Sequence, residues 1–470
     1  MENPAHLSRD TLEATYLRVR AATAALCEPL SPEDHVAQSM PDASPAKWHL
    51  AHTTWFFETF LLCPHLEGYS AAVPEYAVLF NSYYQGVGPQ FHRPHRGLLT
   101  RPTVAEVRAY RERVDAAMRR LFASAPDALF RELAPRIELG LHHEEQHQEL
   151  IVTDLLHLFS RNPLDPVYRP LPPRAAGTVT RDPASRTTGG GFGPVFPSAV
   201  TEVGASGPGF FFDNEAPKHK TYSGAFQLSR RLVTAGEYRD FIDDGGYTRP
   251  DLWLSDGWAA VRAGAWTAPL YWRKDEGGWT MMTLAGRRPV DPDEPVCHVS
   301  HYEADAFARW AGARLPREDE WERAARELKV TPEGGTFLES ARFHPAPAPT
   351  LRDGALSQML GDVWEWTASA YLPYPGFQPL PGALGEYNGK FMSGQMVLRG
   401  GSCATPRRHI RPSYRNFFPP APAGSSRASA SPATPPDPHP ERPAKHRSSP
   451  GMTPHVARQD VLRRPVPAPE

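Results

Sequence analysis

The sequence predicts an α+β multidomain protein in which a helical bundle precedes an irregular α+β domain. Apolar residues recur at helical spacing through residues 1–161. Across residues 192–420, short apolar runs alternate with Gly, Pro and Asp, which is typical of a mixed domain with few regular strands. Residues 162–191 are too rich in Pro and Gly to continue a helix, so we interpret them as a linker.

The first domain is predicted to contain four helices. The second of them starts with Ser44 as the N-cap and Pro45 at the first helical position, a common start signal. Helices joined in this way form a bundle whose core can hold a metal ion. They are expected at residues 9–28, after Ser44, at residues 104–123 and at residues 137–159.

The second domain is predicted to carry helices in two places. One is AGEYRDFIDDG, and the other is SHYEADAFARWAGA with the following REDEWERAAREL. After residue 420 the chain is dominated by Pro, Ala, Ser and Arg and contains no Phe, Trp or Tyr. Such a segment cannot bury enough apolar surface to offset the entropy of ordering, so residues 421–470 are predicted to be disordered.

Charge and cysteine content exclude several functional classes. The 470 residues carry 51 basic and 53 acidic side chains, so nothing suggests nucleic-acid binding. Four scattered cysteines without a CxxC pair favour a reducing cytoplasm over a disulfide framework. The N-terminus does not resemble a signal peptide, and no apolar run reaches membrane-spanning length. We therefore expect a cytoplasmic protein that binds neither nucleic acid nor membranes.

The helix predicted at residues 137–159 contains the most informative pattern of the chain. His143 and His147 fall one turn apart on the same face, where two imidazoles can grip one metal ion without bending the backbone. Gln146 and Glu149 lie close enough to orient an imidazole N–H or a substrate. The alternative is a polar helix face on which two histidines coincide.

A third ligand is expected from the helix that follows Ser44. That helix is rich in Trp, Phe and Leu, yet it contains His49 and His52, and a polar ring in so apolar a setting needs a partner. We predict that His52 completes the metal site. The alternative is a core histidine that is hydrogen-bonded to a backbone carbonyl.

The two halves of the chain resemble two known families. The pattern HxxxHxE at His143, His147 and Glu149 resembles that of DinB-like helical bundles. The stretches RLVTAGEYRDFIDDGGY, WAGARLPREDEWERAAR, GDVWEWTASAY and VLRGGS resemble the formylglycine-generating-enzyme (FGE) domain, whose fold is C-type-lectin-like. Both domains in this order, with AHTTWFFE and NSYYQGVG, resemble the EgtB family of ergothioneine-biosynthesis sulfoxide synthases over roughly residues 10–420.

This resemblance implies a non-haem Fe(II) enzyme. Such an enzyme couples O₂ to C–S bond formation between a thiol and the imidazole of hercynine, the trimethylammonium betaine of histidine, and its product is a sulfoxide. The resemblance implies that His52, His143 and His147 are the iron ligands, and imidazole suits Fe(II). The thiol is cysteine or γ-glutamylcysteine, and the NSYY loop favours cysteine.

The resemblance also implies roles for the loop between the first helices. Tyr83 and Tyr84 match a catalytic tyrosine pair, of which one would donate a proton near the iron. Arg93 and Arg96 match residues that bind the carboxylate of the thiol substrate, a role suited to the guanidinium fork. The alternatives are loop packing for the tyrosines and two solvated side chains for the arginines.

Four further residues are expected to contact hercynine. Gln146 would face its imidazole or its carboxylate. Asn416, Phe417 and Phe418, in YRNFF, match the segment that lines the hercynine pocket. Aromatic faces fit a trimethylammonium group, which cannot donate a conventional hydrogen bond and is held by cation–π attraction.

Two departures from the resembled families are visible. Formylglycine-generating enzymes bind copper through two cysteines after the RGGS turn, whereas this chain has only Cys403, with Thr405 and Ile410 at the positions expected for the pair. The second domain is therefore expected to serve as a pocket wall, and Cys403 to be a buried structural residue. The other departure is the tail, because the family continues with a segment like ARWQFSGLRLA where this chain reads APAGSSRASASP. AGSSRASASP can be encoded by a set of codons that, when translated from one base earlier, gives the family-like segment RWQFSGLRLA. We therefore hypothesise that the tail results from a frameshift at this point.

Two alternative functions remain open at this point. One is a DinB-type thiol transferase that uses another divalent metal, although the second domain disfavours it. The other is a ligand-binding protein that uses the lectin-like domain. An Fe(II)-dependent, O₂-consuming reaction with hercynine would support only the sulfoxide synthase.

Overall fold

The computed structural model describes residues 8–172, 190–350, 355–420, 455–456 and 460–461. Its first part is a helical bundle built from four long helices, as the sequence predicts. A π-helical turn at Glu58–Leu62 extends the second helix. The helices of this part are α1 (Arg9–Cys27), α2 (Ala46–Phe57), α3 (Cys63–His65), α4 (Tyr76–Leu79), α5 (Val104–Ser124) and α6 (Asp127–Ser160).

Side-chain caps mark the starts of two of the long bundle helices. The Ser8 hydroxyl accepts the N–H of Thr11 at α1, and Thr103 and Glu106 form a capping box at α5. The prediction that Ser44 caps α2 is wrong, because Pro45 occupies that position without a side-chain cap. The hydroxyl of Ser44 instead accepts a hydrogen bond from Arg96.

One charged cluster is buried in the core of the bundle. Glu144 on α6 is fully buried, and its two oxygens accept hydrogen bonds from Arg20, Arg111 and Thr23. Burial alone would raise the pKa of Glu144, but the two guanidinium groups outweigh it and hold that pKa at about 2. The cluster joins α1, α5 and α6 at the level of the predicted metal ligands.

The second part combines short helices with small sheets, which agrees with the predicted α+β class. Its helices are α7 (Ala235–Asp243), α8 (Ser255–Gly264), α9 (His301–Trp310) and α10 (Glu318–Glu327). Its strands are β1 (Ala199–Val203), β2 (His219–Ser223), β3 (Gln227–Leu228), β4 (Trp272–Asp275), β5 (Gly278–Thr283), β6 (Gly286–Pro289), β7 (Trp364–Ala370), β8 (Met396–Arg399) and β9 (Asn416–Phe418). β1 pairs with β2, β4 to β6 form a meander, and β7, β8 and β9 are neighbours in an antiparallel sheet.

Two short strands occur in the tail, β10 (His455–Val456) and β11 (Asp460–Val461). β10 pairs in parallel with β3, and β11 pairs antiparallel with β7, where the edge of the sheet offers free backbone groups. This differs from the predicted disorder at these four positions. The rest of residues 421–470, including the run to which the frameshift hypothesis applies, lies outside the described residues.

The first described residues of the predicted linker pack against both parts. The Tyr168 hydroxyl donates to the carbonyl of Leu26, and the Tyr168 N–H donates to the carbonyl of Leu284. Asp165 forms an ion pair with Arg287. Within the described ranges, no helix combines the length and the apolar character needed to cross a bilayer.

Candidate metal centre

The structure brings the three predicted metal ligands together. His143 and His147 lie one turn apart on α6, and His52 extends toward them from α2. Nε2 of His52 is 3.1 Å from Nε2 of His143, and one nitrogen from each of the three rings lies within 4.8 Å of the others. All three side chains are buried. We call this group the histidine triad.

The backbone of the loop after α4 fixes the His52 ring. Nδ1 of His52 lies 2.6 Å from the carbonyl oxygen of Phe80. A carbonyl only accepts, so Nδ1 carries the hydrogen and Nε2 keeps its lone pair. The two alternatives predicted for His52 are therefore compatible. Its Nδ1 donates to the backbone carbonyl, and its Nε2 is available to a metal ion.

A second chain of hydrogen bonds orients His147. Its Nδ1 is 2.8 Å from Nδ1 of His49, and Nε2 of His49 is 3.1 Å from Oδ2 of Asp154. Because Nε2 of His49 donates its hydrogen bond to the carboxylate, Nδ1 of His49 can only accept one. It therefore accepts a hydrogen bond from the Nδ1–H of His147. Nε2 of His147 then carries the lone pair that a metal requires. We call Asp154, His49 and His147 the orienting chain.

Electrostatics keep the triad in the form that binds metals. Burial lowers the pKa of His52 well below its usual value, with a further contribution from His143. Burial also lowers the pKa of His143 to about 4, so both rings are neutral near pH 7. Neutral imidazoles fit Fe(II) and other borderline divalent ions, and a set of three leaves coordination positions open.

The triad forms one wall of a cavity to which both parts of the chain contribute. The bundle supplies the histidines and the loop that precedes α5, while β9 and the segment before β8 supply the opposite wall. All the residues predicted as metal ligands, catalytic tyrosines or substrate contacts line this cavity. They are His52, Tyr83, Tyr84, Arg93, Arg96, His143, Gln146, His147, Asn416, Phe417 and Phe418.

The two tyrosines occupy different surroundings at the cavity. Tyr83 is half-buried, and its hydroxyl accepts a hydrogen bond of 2.8 Å from Nη1 of Arg93. Tyr84 is buried among Trp55, Phe56 and Phe60. Burial raises the pKa of Tyr84, so its phenol keeps its proton at neutral pH.

The two arginines lie in the cavity wall, which contradicts the alternative of two solvated side chains. Arg96 is buried and Arg93 is half-buried. Arg96 donates to the hydroxyl of Ser44 at 3.0 Å, and its guanidinium lies 3.4 Å from the centre of the Trp48 ring. Burial and the neighbouring charge of Arg93 lower the pKa of Arg96 to about 9. A carboxylate bound here would compensate this desolvated charge.

The opposite wall is aromatic. Gln146 donates a 2.9 Å hydrogen bond to the hydroxyl of Tyr414, which ties α6 to the second domain. Phe417 stacks on Tyr371 with ring centres 4.0 Å apart. Tyr387 and Phe391 line the cavity beside it.

Family models match both parts of the chain. Residues 15–151 match the DinB superfamily, and residues 197–426 match the sulfatase-modifying factor enzyme 1-like domain. A hercynine oxygenase of Mycolicibacterium smegmatis is 34% identical over 439 residues, which cover 87% of this chain and 96% of that protein. A hercynine oxygenase of Mycobacterium tuberculosis is 34% identical over 434 residues, 87% of this chain and 95% of that protein.

The chain belongs to the hercynine oxygenase family. It is thus an enzyme of the oxygenase class with a DinB-like bundle and an FGE-like domain. The second domain alone is also similar to the formylglycine-generating enzyme of Streptomyces coelicolor, with 31% identity over 241 residues, 42% of this chain and 74% of that enzyme.

Within this member of the hercynine oxygenase family, the expected role of Glu149 is wrong. Its carboxylate does not orient a triad ring but accepts hydrogen bonds from Trp364, Ser402 and Thr405 of the second domain. Glu149, the last residue of the HxxxHxE pattern, therefore joins the two domains. Cys403 is fully buried, as expected, and burial raises the pKa of its thiol well above the usual value.

The sequence analysis did not predict the roles of His49 and Asp154, which orient His147 in this site. His49 lies three residues before His52, so it carries a detectable signal, namely a second polar ring on an apolar helix. Asp154 lies seven residues after His147, two helical turns along the same face. That spacing is too common on amphipathic helices to indicate a hydrogen-bond partner by itself.

Proposed function

We propose that this protein is a non-haem Fe(II) sulfoxide synthase that couples hercynine with cysteine in the presence of O₂, as in ergothioneine biosynthesis. The observation that carries the proposal is the shared cavity, where three imidazoles, two arginines, two tyrosines and an aromatic wall meet. An Fe(II) ion held by His52, His143 and His147 would supply open coordination positions for thiol and O₂ chemistry.

The arginines would hold the carboxylate of the thiol substrate. Both guanidinium groups face the cavity, and the hydrogen bonds described for them reach hydroxyl and carbonyl oxygens. Nε of Arg93 and Nε of Arg96 are buried without a hydrogen-bond partner among the described residues. A carboxylate of the substrate would satisfy part of this donor capacity by charge-assisted hydrogen bonds. Binding at this point would place the thiol between the arginines and the triad.

The opposite wall would receive hercynine. Phe417, Phe391 and Tyr387 present aromatic groups that suit a trimethylammonium ion. Gln146 lies between the two α6 ligands in sequence and lines the cavity, so its amide is placed to hydrogen-bond the imidazole or the carboxylate of hercynine. Asn416 lines the same cavity and adds a second amide.

One of Tyr83 and Tyr84 would donate a proton during coupling. Both phenols line the cavity with the triad, which places an acidic O–H in the space where the two substrates meet. Holding both substrates in one cavity supplies the proximity that C–S bond formation needs.

The test is a reconstitution experiment with the full chain. We expect metal-free protein loaded with Fe(II) to consume O₂ and to form a hercynine–cysteine sulfoxide, detected by mass spectrometry. Parallel reactions contain γ-glutamylcysteine in place of cysteine, or Zn²⁺ in place of Fe(II). Faster turnover with γ-glutamylcysteine would overturn the thiol assignment alone. Absence of a C–S product with both thiols in the iron-loaded protein would contradict the proposed function.

A further inference from the structure

A second group of metal-binding side chains lies on α6, outside the cavity that contains the histidine triad. His142 and Glu145 are one turn apart on this helix, and His409 comes from the second domain, where a short 3₁₀ turn spans Arg407–His409. All three are buried, with at most 3% of each residue exposed. None of them lines the cavity of the triad. We call this group the interdomain cluster.

The three donor atoms of the interdomain cluster are spaced like metal ligands. Nδ1 of His142 is 2.9 Å from Nδ1 of His409 and 3.3 Å from Oε2 of Glu145. Nδ1 of His409 is 3.5 Å from the same oxygen. Ligands about 2.0–2.1 Å from a tetrahedral Zn²⁺ are separated from one another by about 3.3–3.4 Å. The two nitrogen–oxygen separations are close to the edge of such a tetrahedron, whereas the two imidazole nitrogens would have to move slightly apart to bind an ion.

The surroundings hold these atoms in place and leave one of them unsatisfied. Oε1 of Glu145 accepts a hydrogen bond from Nε of Arg408, whereas its buried Oε2 has no donor in hydrogen-bond geometry among the described residues. Nε2 of His409 lies 3.1 Å from the hydroxyl of Tyr414. The His142 ring stacks on Phe210 with 3.9 Å between ring centres. Contacts of this kind to the outer atoms of ligand side chains orient the inner atoms toward a metal.

We propose that His142, Glu145 and His409 form a second metal site, which binds a divalent ion of the zinc class and fastens the second domain to α6. Two imidazoles and one carboxylate are a common ligand set for Zn²⁺, with water as the fourth ligand. Arg408 neutralises part of the carboxylate charge, so binding is weaker than it would be at a carboxylate without a cationic neighbour. The site shares a helix with the histidine triad but no ligand.

Cobalt titration of the metal-free full chain tests this proposal. Co²⁺ in a tetrahedral site absorbs visible light, so occupancy is followed directly, and dialysed samples are counted by elemental analysis. We expect the parent protein to bind two equivalents of Co²⁺, and an excess of Zn²⁺ to displace both. Binding of a single equivalent at saturating Co²⁺ and Zn²⁺ would overturn the proposal and leave the cluster a hydrogen-bonded structural group.

Variants assign the second equivalent to these residues. Glu145→Gln preserves the shape of the side chain and His409→Ala removes one imidazole. Each should lose one of the two equivalents, while the triad keeps its own. His157→Ala is the matched control, since it removes an imidazole of α6 that lies outside both groups. Circular dichroism verifies that each variant is folded. Retention of the second equivalent in folded Glu145→Gln and His409→Ala would place it elsewhere and contradict the assignment.

Discussion

At the scale of single residues, His49 illustrates how a side chain that is not a ligand controls the triad. Nδ1 of His49 accepts a hydrogen bond from Nδ1 of His147 because Nε2 of His49 donates its hydrogen to Asp154. His49→Phe keeps a ring of similar size on α2 but removes this acceptor. We expect it to weaken Fe(II) binding about 10–100-fold, because the tautomer and orientation of His147 are no longer fixed.

Anaerobic Fe(II) titration of the folded variant measures this effect. His157→Ala serves as the control, because His157 is on the same helix as His147 and bonds to Ser39 at a distance from the triad. An affinity for His49→Phe within twofold of the parent would show that the orienting chain is structural only.

The tyrosine pair gives a second prediction at this scale. Tyr83→Phe and Tyr84→Phe keep the ring and remove only the O–H. Tyr84→Phe should leave substrate binding intact, whereas Tyr83→Phe also removes an acceptor of Arg93 and should raise the KM for the thiol. Without the positioned acid, we expect the coupling rate to fall about 10²-fold or more and the thiol to be oxidised to the sulfinate instead. The measurement is product analysis of both single variants and the double variant under saturating substrates. If all three form mainly the sulfoxide at the parent rate, the pair serves packing.

Sequence reasoning recognised the residues of the triad but not the residues that orient it. The i, i+4 spacing of His143 and His147 is a direct consequence of helix geometry, so it is readable from the chain. Asp154 and His49 come from two helices, and their contact depends on how α2 packs on α6. Glu149 was misjudged for the same reason, because its partners Trp364 and Ser402 are more than two hundred residues away.

At the scale of secondary-structure elements, the packing of α2 on α6 sets the position of the triad. Gly140 lies one turn before His143, and a Cβ at this position would be 2.8 Å from the ring of Phe56 and 2.9 Å from that of Phe57. A glycine in a helix normally costs about 0.5–1 kcal/mol relative to alanine. The close approach of the two helices explains why a glycine is present here.

Gly140→Ala therefore should destabilise the protein despite its higher helix propensity. The two rings are enclosed in the core and cannot rotate away cheaply, so we expect a net cost of about 1–3 kcal/mol and a lower melting temperature. Thermal unfolding followed by circular dichroism measures it. Alanine at an exposed glycine of the second domain, Gly394, is the control, because nothing lies near its added Cβ. A variant at least as stable as the parent would contradict the close packing.

Helices could be predicted from apolar periodicity to within a residue for α1 and α5. The α6 helix begins ten residues before the predicted start, at Asp127, because it continues through Pro135. A proline usually ends a helix, so the sequence pattern alone favoured the shorter segment. The α2 start was misassigned because the hydroxyl of Ser44 is engaged by Arg96, a residue far along the chain.

At the scale of the whole molecule, the site exists only where the two domains meet. Glu149 and Gln146 of α6 bond to Trp364 and Tyr414 of the second domain, and the aromatic wall of the cavity follows from this contact. The order of the domains and the α+β class could be predicted from the pattern of apolar residues and from the resemblance to the DinB-like and FGE families. The relative placement of the domains could not be predicted, since it depends on many buried polar contacts between distant segments.

The coordination of the bound metal tests most directly whether the histidine triad holds it. X-ray absorption at the iron edge counts imidazole ligands in protein that is loaded with less than one equivalent of Fe(II). We predict three imidazoles in the parent and in His157→Ala, and two, with weaker binding, in His52→Ala. An unchanged imidazole count and unchanged affinity in His52→Ala would contradict the claim that the triad of α2 and α6 holds the metal.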